Sequence, residues 1–409
     1  MKKFIAVAAL SFVFASFADL YKRSLDQYQA KDYAGLIATL RTMDAMRPNH
    51  PTILINTAGA YALNGQTSEA LAMLERVVRM NVHFNVGDHD FDSLRGDPRF
   101  IELTKQLAEL KTRRVAGAEI AVRIPRRGLI TEGLAYDGKT KSWFVSSARK
   151  GVVLRIDRRG VAHEFASGPH GLSGMGIDAR RRLLWACSTA FPRVESYKKD
   201  DPSDPSVIAF DLATGAQKQR VKLDGDAFCD DMTVGRDGTL FVSDSNGALL
   251  RLRPEATSFK VLVPRGTIRS PQGSVLSANE RILYVSDYGG PIRAVDVASG
   301  DVAPLRMPAD FQFMGIDGLT RHGRDLIAVQ NGIEPHRILR LRLAADGFGI
   351  ERAEILEMNH PLLDEPTIGK VVGDRYYFIG ASQGNKFDAG APDLSKLTDA
   401  RIFSIDLGK

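Results

Sequence analysis

The chain has 409 residues, enough for two or three domains of about 150 residues each. A hydrophobic fraction of 44% and a charged fraction of 25% exclude a disordered chain, a fibrous protein and a membrane protein with many spans. The net charge of +6 is a small surplus spread over 55 basic and 49 acidic side chains, so no nucleic-acid partner is expected.

The N-terminal residues predict a targeting segment. Lys2 and Lys3 precede an apolar run over residues 4–14, and Ser16-Phe17-Ala18 supplies small residues for cleavage. The apolar run is shorter than the roughly 20 residues that a bilayer requires. We therefore predict a signal peptide over residues 1–18 and a periplasmic or secreted mature protein without a membrane span; an uncleaved anchor is the alternative.

Export bears on the two cysteines, Cys187 and Cys229. Two cysteines are too few for a disulfide scaffold or a cysteine-based zinc cluster. In an oxidising compartment they either form one disulfide or remain two buried thiols, and the sequence leaves both open.

Residues 19–114 predict a helical domain, because apolar residues recur there at intervals of three and four. The breaks fall at residues 47–51 and 64–66, where proline, asparagine and glycine favour turns. Helices joined by Asn64-Gly65 and followed by a Glu69-Ala70-Leu71 pattern resemble tetratricopeptide repeats, which have a period of about 34 residues. One or two repeats cannot form a solenoid core alone, so we expect packing on a neighbour and a surface for a protein partner. An unrelated helical cap is the alternative.

Residues 115–409 predict a β-propeller, because short alternating strands recur along this whole region. Six units each open with a polar or glycine-containing loop, at residues 132, 175, 231, 272, 317 and 365. Units of this length are typical of four-stranded blades. The fold class is therefore mainly β, a six-bladed propeller after an N-terminal helical domain. The orphan strand at residues 118–124 is expected to complete the last blade and cover its edge.

The blade openings suggest a metal site. In a propeller these openings converge at the central axis, and here they carry Glu132, Asp230 or Asp231, Gln272, Asp317 and Glu365. Carboxylates gathered on one axis repel unless a cation neutralises them, and oxygen ligands without Cys or His suit a hard cation such as Ca²⁺. The alternative is that these acids only cap the turns.

Four of the openings carry longer motifs: Thr131-Glu132-Gly133-Leu134, Asp230-Asp231-Met232, Ser270-Pro271-Gln272-Gly273 and Gly315-Ile316-Asp317-Gly318. These motifs resemble the blade signatures of the senescence marker protein/gluconolactonase/LRE-like region family. The resemblance covers about residues 127–407 and implies a six-bladed propeller with a central divalent metal. It places the metal ligands at Glu132, Asp230 or Asp231, Gln272 and Asp317. The family typically has Asn at these positions of the third and fourth blades, where this chain has Asp and Gln.

Loops on the same face as the openings are candidates for substrate binding. The loop over residues 188–204 is the longest and is expected to act as a lid. Basic groups around a metal favour an anionic or polyhydroxy substrate. The candidate substrate-binding residues are Arg149, Arg193, Lys198, Tyr288, Asn331 and His336.

Two functions follow from these patterns. The first is an exported, metal-dependent hydrolase of the gluconolactonase-like type, acting on a lactone or related ester, with Asp317 as the catalytic carboxylate that activates water. The second is a non-catalytic propeller that binds a ligand or a protein, with the helical domain as an interaction surface. The chain has no Gly-x-Ser-x-Gly, Walker or dinucleotide motif, which disfavours serine-hydrolase and nucleotide chemistry.

Overall fold

The computed structural model describes residues 16–387 and 392–408. The chain divides after Ala108 into a helical unit and a β-rich unit. The expected signal peptide falls largely on residues 1–15, outside the described residues, so export stays a prediction. No helix among the described residues is long and apolar enough to cross a membrane.

The N-terminal unit consists of helices, as the apolar spacing predicts. Its helices are α1 (Phe17–Gln29), α2 (Tyr33–Met46), α3 (Pro51–Leu63), α4 (Thr67–Arg79), a 3₁₀ helix (His89–Leu94) and α5 (Pro98–Glu109). A capping box begins α1, because Ser16 and Asp19 accept hydrogen bonds from each other's backbone N–H. One part of the core joins residues from α1, α2 and α3, including Leu20, Leu40 and Ile53. The assignment of these helices to the tetratricopeptide class stays a prediction.

The second unit is a six-bladed β-propeller built from antiparallel four-stranded sheets, which confirms the predicted fold class. Blade 1 consists of β2 (Thr131–Asp137), β3 (Ser142–Ser147), β4 (Val152–Ile156) and β5 (Ala162–Ser167). Blade 2 consists of β6 (Gly171–Asp178), β7 (Leu183–Thr189), β8 (Ser206–Asp211) and β9 (Gln217–Lys222). Blade 3 consists of β10 (Cys229–Val234), β11 (Leu240–Asp244), β12 (Ala248–Leu252) and β13 (Lys260–Val263). Blade 4 consists of β14 (Pro271–Leu276), β15 (Ile282–Asp287), β16 (Arg293–Asp296) and β17 (Val302–Pro304). Blade 5 consists of β18 (Ile316–His322), β19 (Asp325–Gln330), β20 (Arg337–Leu343) and β21 (Ile350–Met358). Blade 6 consists of β22 (Gly369–Val372), β23 (Arg375–Ile379), β24 (Ala400–Asp406) and β1 (Ala118–Ile124).

The propeller core lies between neighbouring blades. The second strands β3 and β19 are buried along their whole length, whereas the outer strand β9 is mostly exposed or half-buried. One hydrophobic cluster joins blades 2 and 3 through Trp185, Val207, Met232 and Val242. Cys187 of β7 and Cys229 of β10 form a disulfide across the same boundary, which resolves the alternative that the sequence leaves open.

Strand β1 closes the ring, as predicted. It pairs antiparallel with β24, from Ala118 opposite Ile405 to Ile124 opposite Ala400. Blade 6 therefore combines the first strand of the propeller with the last three, and the outer edge of β24 is covered.

A buried carboxylate anchors the start of β1 to blade 5. Glu357 of β21 is fully buried, and its Oε2 accepts hydrogen bonds from the N–H groups of Gly117 (2.9 Å) and Ala118 (2.8 Å). Its Oε1 accepts from the N–H of Met358 at 3.1 Å. A Cβ atom on Gly117 would clash with the carbonyl oxygen of Leu356, so glycine is required for this close approach. The closing strand is thus held by two blades.

We expect Glu357→Gln to lower the free energy of unfolding by about 2 kcal/mol, because an amide loses charge-assisted hydrogen bonds and turns an NH₂ group toward backbone donors. Urea denaturation followed by tryptophan fluorescence measures the change. Glu354→Gln, at an exposed position of the same strand, is the matched control. Equal stability of the two variants would contradict the anchoring role.

Candidate functional site

Irregular pairing turns the opening residues away from the ladder. In five blades the register between the inner strand and its neighbour shifts at the opening, between Thr131 and Leu134 in blade 1 and between Ile316 and Leu319 in blade 5. The same shift occurs in blades 2, 3 and 4. Such bulges leave their residues unpaired and redirect the side chains, so Glu132, Gln272 and Asp317 are released from the ladders.

The glycines of the openings are required by close packing between inner strands. A Cβ atom on Gly133 would clash with the carbonyl oxygen of Ser173 in blade 2, and one on Gly273 would clash with that of Asp317 in blade 5. The recurring glycines therefore mark contacts between blades, and the polar residue before each one belongs to the bulge.

Blade 3 distinguishes Asp230 from Asp231. Asp230 is the residue skipped by the register shift, whereas Asp231 pairs with Ser243 in the ladder. Asp231 occupies the position that other openings give to glycine; its side chain is buried against Gly174, and burial raises its pKa to about 6. Asp230 is thus the equivalent of Glu132 and Asp317.

Four carboxyl groups form what we call the axial cluster: Glu132, Asp230, Asp317 and Glu365. Burial, together with the charges of Asp317 and Glu365, raises the pKa of Glu132 to about 8. The pKa of Asp230 lies well above its ordinary value because of burial and the charge of Asp317. Burial also raises the pKa of Asp317 to about 7, assisted by Asp231 and Glu365. These groups repel one another when ionised, so the cluster favours protons or a cation.

Hydrogen bonds hold the axial carboxylates in place. Ser382 Oγ donates to Glu132 Oε1 at 2.7 Å, and the N–H of Asn385 donates to Glu365 Oε2 at 3.1 Å. Asn331 Nδ2 donates to Asp317 Oδ2 at 2.7 Å, while its Oδ1 accepts from the hydroxyl of Tyr288 at 3.0 Å. Asn331 and Tyr288 therefore form a hydrogen-bond chain that orients Asp317, and their binding of substrate stays a prediction.

The side chain of Gln272 presents its oxygen for a further role. Its Nε2 donates to Ser245 Oγ at 3.3 Å and to Ser270 Oγ at 3.2 Å. Within the described residues no hydrogen bond occupies Oε1, the acceptor atom that a cation would use.

The candidate cationic side chains have different environments. Arg193 lies close enough to Glu132 for its charge to lower the pKa of that carboxyl. Arg149 forms an ion pair with Glu195 at 2.7 Å and lies over the ring of Phe387. Lys198 is exposed in the long loop, and no contact of its side chain with the axial cluster occurs among the described residues.

His336 lies near blade 6. Burial lowers its pKa, and the charges of Glu334 and Glu365 act in the opposite direction. Its role in substrate binding stays a prediction.

The long loop between β7 and β8 is tied down at both ends. Glu195 forms ion pairs with Arg149 and with Lys150, the latter at 2.6 Å. Asp204 forms ion pairs with Arg220 and Lys222, and its Oδ2 lies within hydrogen-bond distance of His170 Nε2. Much of the basic charge that the sequence assigns to this face is therefore neutralised within the chain.

Sequence reasoning missed part of the site. Glu365 was recognised as an opening residue but left out of the ligand set, although its charge acts on both Glu132 and Asp317. Ser382 and Asn385 come from the loop between β23 and β24, where no repeated pattern marks them. Their roles follow only from contacts between blades 6 and 1.

The donor chemistry of the axial cluster fits a hard divalent cation. Carboxylates and one amide oxygen are the ligands that Ca²⁺ prefers, and a cation would relieve the repulsion that raises the carboxyl pKa values. Within residues 16–387 and 392–408, however, no three acidic, histidine or cysteine side chains are close enough to form a ready-made metal site.

Comparisons with known proteins give the fold and leave activity open. No protein-family model and no curated protein matches the chain. Among solved structures it is similar to a gluconolactonase from Xanthomonas campestris, with 14% identity, a TM-score of 0.50, and 72% of this chain and 98% of that chain covered. It is also similar to a luciferin-regenerating enzyme, with 13% identity, a TM-score of 0.50, and 72% and 95% covered. Its structural neighbours thus include gluconolactonase-like propellers, and at these identities the likeness establishes the shared fold alone.

Proposed function

We propose that the axial cluster binds a divalent cation, with Ca²⁺ as the first candidate, and that the site hydrolyses a lactone or related ester. The observation that carries this proposal is a set of three carboxyl groups, Glu132, Asp230 and Asp317, which bulges release and whose pKa values are raised by burial, with neighbouring carboxylates acting in the same direction. So many buried acids are costly to a fold unless they serve a ligand or a reaction.

The residues would divide the work as follows. Asp317 has a pKa near neutrality, so its ionised form can take a proton from the attacking water. Asn331 and Tyr288 are positioning residues, since their hydrogen-bond chain fixes the orientation of the Asp317 carboxylate. Arg193 places a positive charge near Glu132, where it would attract an anionic substrate.

A divalent cation would be held by Glu132, Asp230, Asp317 and the amide oxygen of Gln272. When bound, it would supply charge compensation for the acids and polarisation of the substrate carbonyl.

Export completes the proposal. Support comes from the charged, apolar and small-residue zones of residues 1–18 and from the Cys187–Cys229 disulfide, which suits an oxidising compartment.

A second candidate function is binding without catalysis. Among the described residues, no three acidic, histidine or cysteine side chains form a ready-made metal site. This observation favours a propeller that binds a ligand or a protein at the end of the channel that carries the axial cluster. The helical unit would then supply a further surface for a protein partner.

Glu132→Gln is expected to weaken Ca²⁺ binding about tenfold or more, because it replaces a charged ligand oxygen with a neutral one. Isothermal calorimetry on EDTA-treated protein measures the affinity, and thermal melts with and without Ca²⁺ measure the linked stabilisation. Glu354→Gln serves as the control. If wild-type protein binds neither Ca²⁺ nor another divalent cation, the metal part of the proposal is wrong.

The stability of the metal-free protein should fall as pH rises from about 3.8 to about 8. Glu132 and Asp317 bind their protons more tightly in the folded protein than in the unfolded chain, so unfolding releases protons in this range and becomes easier at higher pH. Below the range both states are protonated, and above it both are ionised. Urea denaturation in EDTA at several pH values tests this expectation. A slope as steep in Glu132→Gln as in the wild type would contradict the assignment of Glu132.

Asp317→Asn is expected to reduce turnover at least about 100-fold while the fold is retained, because the amide keeps an oxygen for Asn331 but cannot accept the proton. Hydrolysis of sugar-acid, aliphatic and aromatic lactones and esters, with saturating Ca²⁺, provides the assay. Asp374→Asn, in an exposed turn between β22 and β23 at the opposite end of the propeller, is the control. No hydrolysis of any substrate by the wild type would favour the binding function instead.

A further inference from the structure

A cavity lies on the central channel of the propeller, away from the axial cluster. It has a volume of about 220 Å³ and is lined by residues from all six inner strands. The lining residues come later in these strands than the opening residues, so the cavity lies toward the opposite end of the channel. We call it the lower chamber. Its volume can hold a small ion with several waters, since a water occupies about 30 Å³ in the liquid.

The polar groups of the lower chamber include three donors without partners. Lys370 of β22 is half-buried, and within the described residues its ammonium group forms no ion pair or hydrogen bond. The hydroxyl groups of Thr320 and Tyr136, which also line the chamber, likewise form no hydrogen bond with any described residue. An ammonium group can only donate, and hydroxyl groups can donate as well, so this set suits a ligand rich in acceptors.

No carboxylate among the described residues lines the lower chamber. The charge of Lys370 lowers the pKa of one acid, Asp231 of blade 3. The two groups form no ion pair, and Asp231 Oδ1 is buried against Gly174 rather than exposed to the chamber. The chamber therefore keeps a positive charge on its wall.

We propose that the lower chamber is a second ligand site, which takes a small oxyanion such as phosphate or a short carboxylate. Lys370 supplies the charge, and Thr320 and Tyr136 supply hydrogen bonds. A half-buried cation without a partner is unfavourable, and an anion would offset that cost. The site does not depend on a metal or on hydrolysis at the axial cluster, so it stands or falls separately from the proposed function.

The test uses full-length protein in EDTA at constant ionic strength, with inorganic phosphate or acetate replacing a bulky sulfonate buffer. Calorimetry and thermal melts measure binding. We expect Lys370→Met to weaken binding of the preferred anion about tenfold or more, and Thr320→Val to weaken it several-fold. Lys139→Met removes an exposed lysine from the turn between β2 and β3 and should leave binding unchanged.

The melting temperature without anion separates a ligand role from a structural one. In anion-free buffer Lys370→Met should melt close to the wild type, because the removal of an unpaired charge offsets the lost attraction between Lys370 and Asp231. A melting temperature lowered equally with and without anion would show a structural role and overturn the proposal. Equal binding by Lys370→Met and wild type, or no anion binding by the wild type, would overturn it as well.

Discussion

Closure of the six-bladed ring is the constraint on which the propeller depends. Each blade packs its hydrophobic faces on two neighbours, so an open ring would expose one face of the first blade and one of the last. Strand β1 prevents this by pairing with β24, while Glu357 fixes its start to blade 5. Only a closed ring brings the six inner strands to one axis, where the openings of blades 1 and 5 can act on each other.

The axial cluster shows how this geometry concentrates chemistry. Bulges release one polar residue in each of five blades, and in four of these the glycine next to it lets the inner strands approach closely. Burial near the axis raises the pKa values of Glu132, Asp230 and Asp317, and the charges of neighbouring carboxylates act in the same direction. The repulsion among these carboxylates lowers the stability of the fold, and such a cost is typical of functional sites.

Much of the fold could be predicted from the sequence, because blades repeat. The period of two, the spacing of the openings and the orphan strand together predict six blades and their closure. Contacts between blades carry no such periodic signal. The choice of Asp230 over Asp231, the hydrogen bond from Ser382 to Glu132, and the pairing of Arg149 with Glu195 depend on residues far apart in the chain. The lower chamber around Lys370 was missed for the same reason, since a lone lysine in a short strand resembles any exposed one.

The position of β1 has a consequence for synthesis of the protein. Ribosomes release the helical unit first, and its helices contact one another over short sequence distances, so it can fold early. The strand that follows must wait, because Ile124 pairs with Ala400 and Ala118 with Ile405. The growing chain therefore carries an unpaired strand until β24 (Ala400–Asp406) emerges, and a chain that stops before β24 keeps β1 without its partner.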